Sequence, residues 1–158
     1  MKTCRIVVIA VAIGSLALAG SALGEAHRAS ATTVVTTKQT TYGTILVTGS
    51  GQTLYLDSAD KSGHPACTGG CLSTWPPLKA SGTLKAAGSA KSSLVATTKI
   101  SGAVKQVTYA GHPLYTYASD SKSNPTSGQG ISGFYVVSTS GKAITKSAAK
   151  PPASKPGY

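Results

Sequence analysis

The sequence predicts a small all-β domain: two pseudo-repeated β-hairpin units packed around one core, with one short helical turn near Cys67–Thr74. Three observations carry that expectation. The first is internal likeness, since Thr53 to Asp60 reads TLYLDSAD and Pro113 to Asp120 reads PLYTYASD sixty positions later, each just beyond a glycine (Gly51, Gly111). At the same offset Val47 and Thr48 match Val107 and Thr108, Pro65 matches Pro125, Gly70 matches Gly130, and Trp75 falls on Tyr135. Solenoid arrays usually need three or more repeats to bury their faces, so two long copies argue for halves sharing a core. The second observation is a series of short runs rich in branched and aromatic residues, and the third is the glycines placed between them.

The elements follow in order. Thr44 to Thr48, Thr53 to Asp57, Leu94 to Ile100, Lys105 to Tyr109, Leu114 to Tyr117 and Phe134 to Ser138 read as strands. Gly49-Ser50-Gly51 and Ala110-Gly111 sit where the chain must reverse, and glycine supplies the positive φ of tight turns. Leu54 and Leu56 share one face of their strand, as do Tyr115 and Tyr117, because alternate residues point the same way. Copy one is expected over about 42–82 and copy two over about 94–144, within a domain of 42–145; Lys79 to Ser93 is the connector.

Residues 1–24 have the layout of an export signal, with Lys2 and Arg5 ahead of an apolar run from Ile6 to Ala19 and then small residues. That run is fourteen residues, short of the roughly 18 to 20 that span a bilayer. Cleavage after Ala19 or Gly24 is expected. Cys4 precedes the apolar run, so no cysteine stands where lipidation requires one, and a released protein without an anchor is expected. The Thr/Ala-rich stretch 25–41 and the Lys/Pro/Ala tail 146–158 have few large apolar residues and read as flexible flanks.

Loss of Lys2 and Arg5 leaves thirteen Lys and Arg against four acids, a formal charge of +9. Outside the cytoplasm the anions within reach are cell-wall polymers and membrane head groups, which makes these the expected partners. Nucleic acid is not expected, because Arg28 is the sole arginine left and no nucleic-acid motif accompanies the charge.

With both copies laid out, the chain resembles the secreted and lipoprotein repeat family of unknown function, marked by a Tyr-x-aromatic-x-x-Asp signature. Tyr115, Tyr117 and Asp120 fit it fully, between QVTYAGHPLY and GQGISGFYVV. Copy one keeps Tyr55 and Asp60, but Asp57 replaces the aromatic, and CTGGCLSTWPPL from Cys67 to Leu78 is similar to the first repeat's hallmark. The resemblance covers about Tyr42 to Ile144 and implies an extracytoplasmic module with no established activity.

The candidate residues each have a structural and a chemical reading. Cys67 and Cys71 are the only cysteines beyond the signal, in a compartment where disulfides persist. On one helical turn their α-carbons lie about 6 Å apart, within disulfide range. A redox pair, or metal ligation with His64 as third ligand, are the alternatives. Asp60 and Asp120 follow strands, where a carboxylate shapes a turn by accepting bonds from backbone N–H groups. Catalysis or calcium binding lacks the paired acids each needs. Trp75, Tyr109, His112 and Tyr135 are candidates for a contact surface, although Trp75 before Pro76-Pro77 reads first as a core or edge aromatic and strand tyrosines more often pack half-buried. No GxSxG elbow is present. The expectation is therefore a secreted, non-enzymatic structural or binding module of the cell envelope that needs no cofactor.

Overall fold

The computed structural model describes residues 31–146; the expected export signal, residues 25–30 and the tail from 147 lie outside the described residues. Strand β1 (Thr32–Thr40) pairs antiparallel with β2 (Gly43–Thr48), Val35 facing Thr48 and Thr40 facing Gly43. The turn between them is held by Thr40, whose Oγ1 accepts the Tyr42 N–H at 3.1 Å. On its other edge β1 takes up β4 (Thr83–Ala86) in parallel.

Both β1 and β4 correct the sequence reading. Residues 25–41 were expected to be a flexible flank, yet from Thr32 onward they form a nine-residue strand, with Val35 fully buried. A run of Val and Thr is sparse in large side chains but stiff at χ1 and suited to extended backbone. The connector expected over 79–93 likewise contributes β4, and Ala87 N–H continues the ladder to Val35 O at 2.9 Å. Copy one therefore begins at β1, ahead of residue 42.

Copy two opens with the equivalent hairpin, β5 (Val95–Ser101) against β6 (Val104–Tyr109), after a 3₁₀ turn at Ser92–Leu94. The chain then reverses through Ala110 and Gly111, at φ of 50° and 84°, into β7 (His112–Pro113). Positive φ at both central residues is the hairpin turn that matches strand twist, and Gly111 adopts it without cost from a side chain.

From here the copies interlace rather than stand side by side. Strand β3 (Tyr55–Asp57) of copy one pairs with β8 (Phe134–Val136) of copy two. Reciprocally, Leu114 to Thr116 of copy two lies beside Pro76 to Leu78 of copy one, with Leu78 N–H donating to Leu114 O at 2.8 Å and Thr116 N–H to Pro76 O at 2.9 Å. Leu46 N–H donates to Val137 O, and Val107 N–H donates to Leu78 O, both at 2.8 Å. At the centre Tyr55 and Tyr115 exchange both backbone hydrogen bonds at 2.9 Å, marking a local two-fold relation between the copies.

Both faces of this central layer are buried, which is why TILV and TLYL read as unbroken apolar runs. One face gathers Leu46, Leu54, Leu56, Leu114 and Val137 with Val35, Val107 and Tyr109. The other gathers Ile45, Val47, Tyr55, Tyr115 and Val136 with Cys67, Trp75 and Phe134. The single shared core thus has two layers, set by alternation along the same strands.

Candidate functional site: the tyrosine–aspartate centre

The residues that mark the repeat converge on the second layer. Tyr55 Oη donates to Asp120 Oδ2 at 2.8 Å, while Tyr115 Oη donates to Asp60 Oδ1 at 3.3 Å. Each copy's tyrosine is held by the other copy's aspartate. Burial raises the Tyr55 hydroxyl well above the usual phenol range, and the Asp120 carboxylate adds to the effect. Burial, then the charge of Asp60, raises Tyr115 in the same way. Both phenols stay protonated and serve as donors.

The aspartates also shape their turns, by longer reaches than Asx geometry suggests. Asp120 Oδ1 accepts from Ser127 N at 2.9 Å and from Ser127 Oγ at 2.8 Å, seven residues on. Asp60 Oδ1 accepts from Ala66 N at 2.6 Å, six residues on. The short Asx turn belongs to Asp57, a buried residue whose Oδ1 accepts the Ala59 N–H at 2.9 Å. Asp60 Oδ2 is buried without a hydrogen-bond partner. Burial, with the Asp57 charge, raises the Asp60 carboxyl, against the opposing pull of the Ala66 N–H, the Tyr115 hydroxyl and His112.

Trp75 and Phe134 stack face to face, with centroids 3.8 Å apart and planes 4° apart. Tyr55 meets Trp75 edge-on at 5.3 Å, and Tyr115 meets Phe134 edge-on at the same 5.3 Å. This near-symmetry makes Phe134, fifty-nine positions on, the counterpart of Trp75 in place of Tyr135. Tyr117 packs on Trp75 at 4.5 Å, at the motif position where copy one carries Asp57. Gly128 permits that contact: a Cβ there would lie 2.8 Å from the Trp75 ring and 2.9 Å from Tyr117 Cγ.

Cys67 and Cys71 form a disulfide with α-carbons 5.5 Å apart. It leads into the helical turn α1 (Cys71–Thr74), which Trp75 closes by donating its N–H to Cys71 O at 2.9 Å. Copy two has a 3₁₀ turn, Ile131–Gly133, sixty positions later. Among the described residues no three His, Cys, Asp or Glu side chains gather in a way that could hold a metal ion, so His64 does not join the sulfurs. His64 is exposed and exchanges backbone bonds with Lys61.

The proposed contact surface separates into inside and outside. Trp75 and Tyr109 are buried and belong to the two core layers, as their packing reading has it, which corrects their place among the candidates for a contact surface. Tyr109 Oη accepts from Lys91 N and donates to Thr139 O, each at 2.9 Å, so a hydroxyl inside the core pins two loops. His112 and Tyr135 keep partial exposure. Phe134, Ser127 and Gly128 were not singled out from the sequence; they lie in or beside GQGISGFYVV, and the copy-to-copy offset is the signal that finds them.

A family model described as a secreted repeat of unknown function matches residues 36–79 and 100–136, together 81 of the 158 residues. No curated protein and no solved structure gives a match. The first matched segment runs from within β1 to Lys79 and the second from the end of β5 through β8, so the two matches are the two interlaced copies. On that extent and that geometry, the chain belongs to this family of secreted repeats of unknown function.

Proposed function

We propose that this chain is a non-enzymatic module of the cell envelope, a rigid β-scaffold whose basic exterior engages an anionic partner, either wall polymer or membrane surface. The observation that carries the reading is how its charges are divided. All three aspartates of the described residues are engaged in the fold, Asp57 and Asp60 with backbone N–H groups, Asp60 and Asp120 with tyrosines. All ten lysines from Lys38 to Lys146 are exposed. Each of these carboxyls accepts hydrogen bonds from the fold, which supports a scaffold role for them over acid–base chemistry. Among the described residues no helix is long and apolar enough to cross a membrane.

Purified protein incubated with isolated envelopes should be retained at low salt and released as salt screens the lysines. Retention independent of salt, or equal on a neutral matrix, overturns the proposal. The competing reading is an accessory protein that uses Cys67 and Cys71 in redox exchange. Cys67 is buried in the aromatic layer, which supports a structural bond. Free thiols appearing under mild reductant, without unfolding, would favour the redox reading instead.

A further inference from the structure

The two copies treat the seam beside their aspartate loops differently. In copy one the loop after Asp60 is tied down: Gly63, at a φ of 70°, donates its N–H to Gly111 O at 2.9 Å, and its carbonyl accepts from Thr98 Oγ1. Sixty positions away these ties are missing. Gly63 corresponds to Ser123, which has no positive φ, while Thr98 corresponds to Lys38 and Gly111 to Gly51. Among the described residues no hydrogen bond joins Ser123 to Gly51 or Lys38. The seam of copy two is instead a cleft of about 390 Å³ between the β2–β3 turn and the loop after Asp120. Small-ligand sites are of this size, roughly 300–1,000 Å³.

The lining has an aromatic wall, neutral hydrogen-bonding groups and two cations. Tyr117 is half-buried and backed by Trp75 at 4.5 Å, which holds its ring in place, and its hydroxyl makes no hydrogen bond among the described residues. Copy one has no such wall, because Asp57 stands at that motif position and is buried. Gln52, Thr116 and Ser121 add amide and hydroxyl groups, and the exposed Lys38 and Lys122 pair with no acid among the described residues. Asp120 also borders the cleft, but Tyr55 and Ser127 occupy both its oxygens.

Resting on the envelope reading above, we propose that this cleft binds an acidic saccharide of the cell envelope, with one sugar ring packed on Tyr117 and its negative group held by Lys38 and Lys122. Each kind of lining group answers to one part of such a ligand. A pyranose presents an apolar C–H face that suits an aromatic ring, and a hydroxyl rim that both donates to and accepts from neutral amides and hydroxyls. An acidic substituent adds a charge for the two ammonium groups. A bare anion leaves the tyrosine and the amide without a role, a neutral glycan leaves the lysines idle, and a bilayer cannot enter a cleft of this size.

The test uses the disaccharide of N-acetylglucosamine and N-acetylmuramic acid as the probe, followed by calorimetric titration. Diacetylchitobiose supplies the same rings without the lactyl carboxylate, and lactate supplies the acid without the rings. Trp75, the single tryptophan, lies behind Tyr117, so its emission should shift as the disaccharide binds. Lys38→Gln/Lys122→Gln should lower affinity for the acidic disaccharide about tenfold and leave that for diacetylchitobiose within about twofold. Lys61→Gln/Lys142→Gln removes the same charge outside the cleft and should change neither by more than about twofold. Tyr117→Leu should weaken both saccharides about fivefold. Gln52→Ala, at an exposed position, should weaken both about threefold with the melting temperature unchanged, separating lost binding from lost fold. The proposal is overturned by lactate or diacetylchitobiose binding as tightly as the acidic disaccharide, by equal losses from the two lysine pairs, or by no binding of either the disaccharide or trigalacturonate. If the parent is retained on envelopes yet ignores both acidic saccharides, this inference falls while the envelope reading stands; if it does neither, both fall.

Discussion

In copy two, Ser127 gives Asp120 two donors, its N–H and its hydroxyl, and Tyr55 takes the other carboxylate oxygen, so both oxygens are engaged. In copy one the backbone donor to Asp60 is Ala66, which has no hydroxyl to offer. Asp60 crowds both donors onto Oδ1, at 2.6 and 3.3 Å, and leaves Oδ2 buried and unpartnered. What copy one has instead is the disulfide, which fixes the turn covalently. A duplicated unit has thus kept its tyrosine and aspartate while exchanging a polar clasp for a covalent one. The equivalent positions should therefore contribute unequally, and each experiment below asks by how much.

The largest effect is expected at the stack on the pseudo-two-fold. Trp75→Ala removes contacts to Tyr55, Tyr117 and Phe134, whereas Phe134→Ala removes contacts to Trp75 and Tyr115. Truncation of a buried aromatic costs about 3–5 kcal/mol, and Trp75 should lie at the upper end. Urea unfolding would measure both. Equal losses would show that the third contact, to Tyr117, adds nothing.

The two tyrosine hydroxyls should separate next. Tyr55→Phe removes a 2.8 Å bond to a carboxylate and should cost about 1.5–3 kcal/mol. Tyr115→Phe removes a 3.3 Å contact to an oxygen that already accepts Ala66 N–H, and should cost at most about 1 kcal/mol. A reversal of that order, read from the same unfolding curves, would contradict the picture of copy two as the better satisfied clasp.

The disulfide offers a way to turn one copy into the other. Cys67→Ala/Cys71→Ala opens a short loop and should cost about 2 kcal/mol on the chain-entropy view. Adding Ala66→Ser to that background places a hydroxyl on the residue whose N–H meets Asp60, as Ser127 meets Asp120, and should recover about 1 kcal/mol relative to the double alanine. Identical midpoints for the two variants would mean that the serine cannot reach Asp60, and that the turns differ in more than their staple.

The same comparison shows what the sequence could and could not disclose. The paired motifs, the all-β character and the covalent turn were legible because each rests on local residues: branched runs, glycines, and two cysteines on one helical turn. Leu94 to Ile100, which contains VATTK, reads as a strand, yet VVTTK at Val34–Lys38, sixty-one positions before VATTK, falls in a stretch that reads as a flexible flank for want of large apolar residues. The repeat itself held the missing information. An offset of sixty pairs Trp75 with Tyr135, one residue too far; in a strand such a slip reverses the face, so Phe134 is in the stack and Tyr135 is not. Interlacing was not legible, since composition does not say which copy's strand completes which sheet. Nor does an aromatic residue announce whether it is core or surface, as Tyr109 demonstrates by hiding its ring and bonding its hydroxyl inside the protein.

The smallest expected effect tests the unsatisfied carboxyl directly. In the fold Asp60 is pushed above the ordinary carboxylate value of about 3.9, chiefly by burial, with Asp57 adding to the push and His112 opposing it. A group raised in the folded state binds its proton more readily there than in the unfolded chain, so its stabilising contribution is complete below the unfolded value and is lost as pH rises through the folded one. Asp60→Asn keeps an acceptor for Ala66 N–H but cannot titrate. The parent should therefore lose ground relative to the variant as pH rises from about 4 toward neutrality, read as the difference between their melting temperatures at each pH. Because His112 opposes the shift of Asp60, the pair is best repeated with His112→Gln in both chains. A difference that stays flat across the range would mean that Asp60 Oδ2 finds a partner in solution, and that the two aspartate clasps are more alike than their geometry indicates.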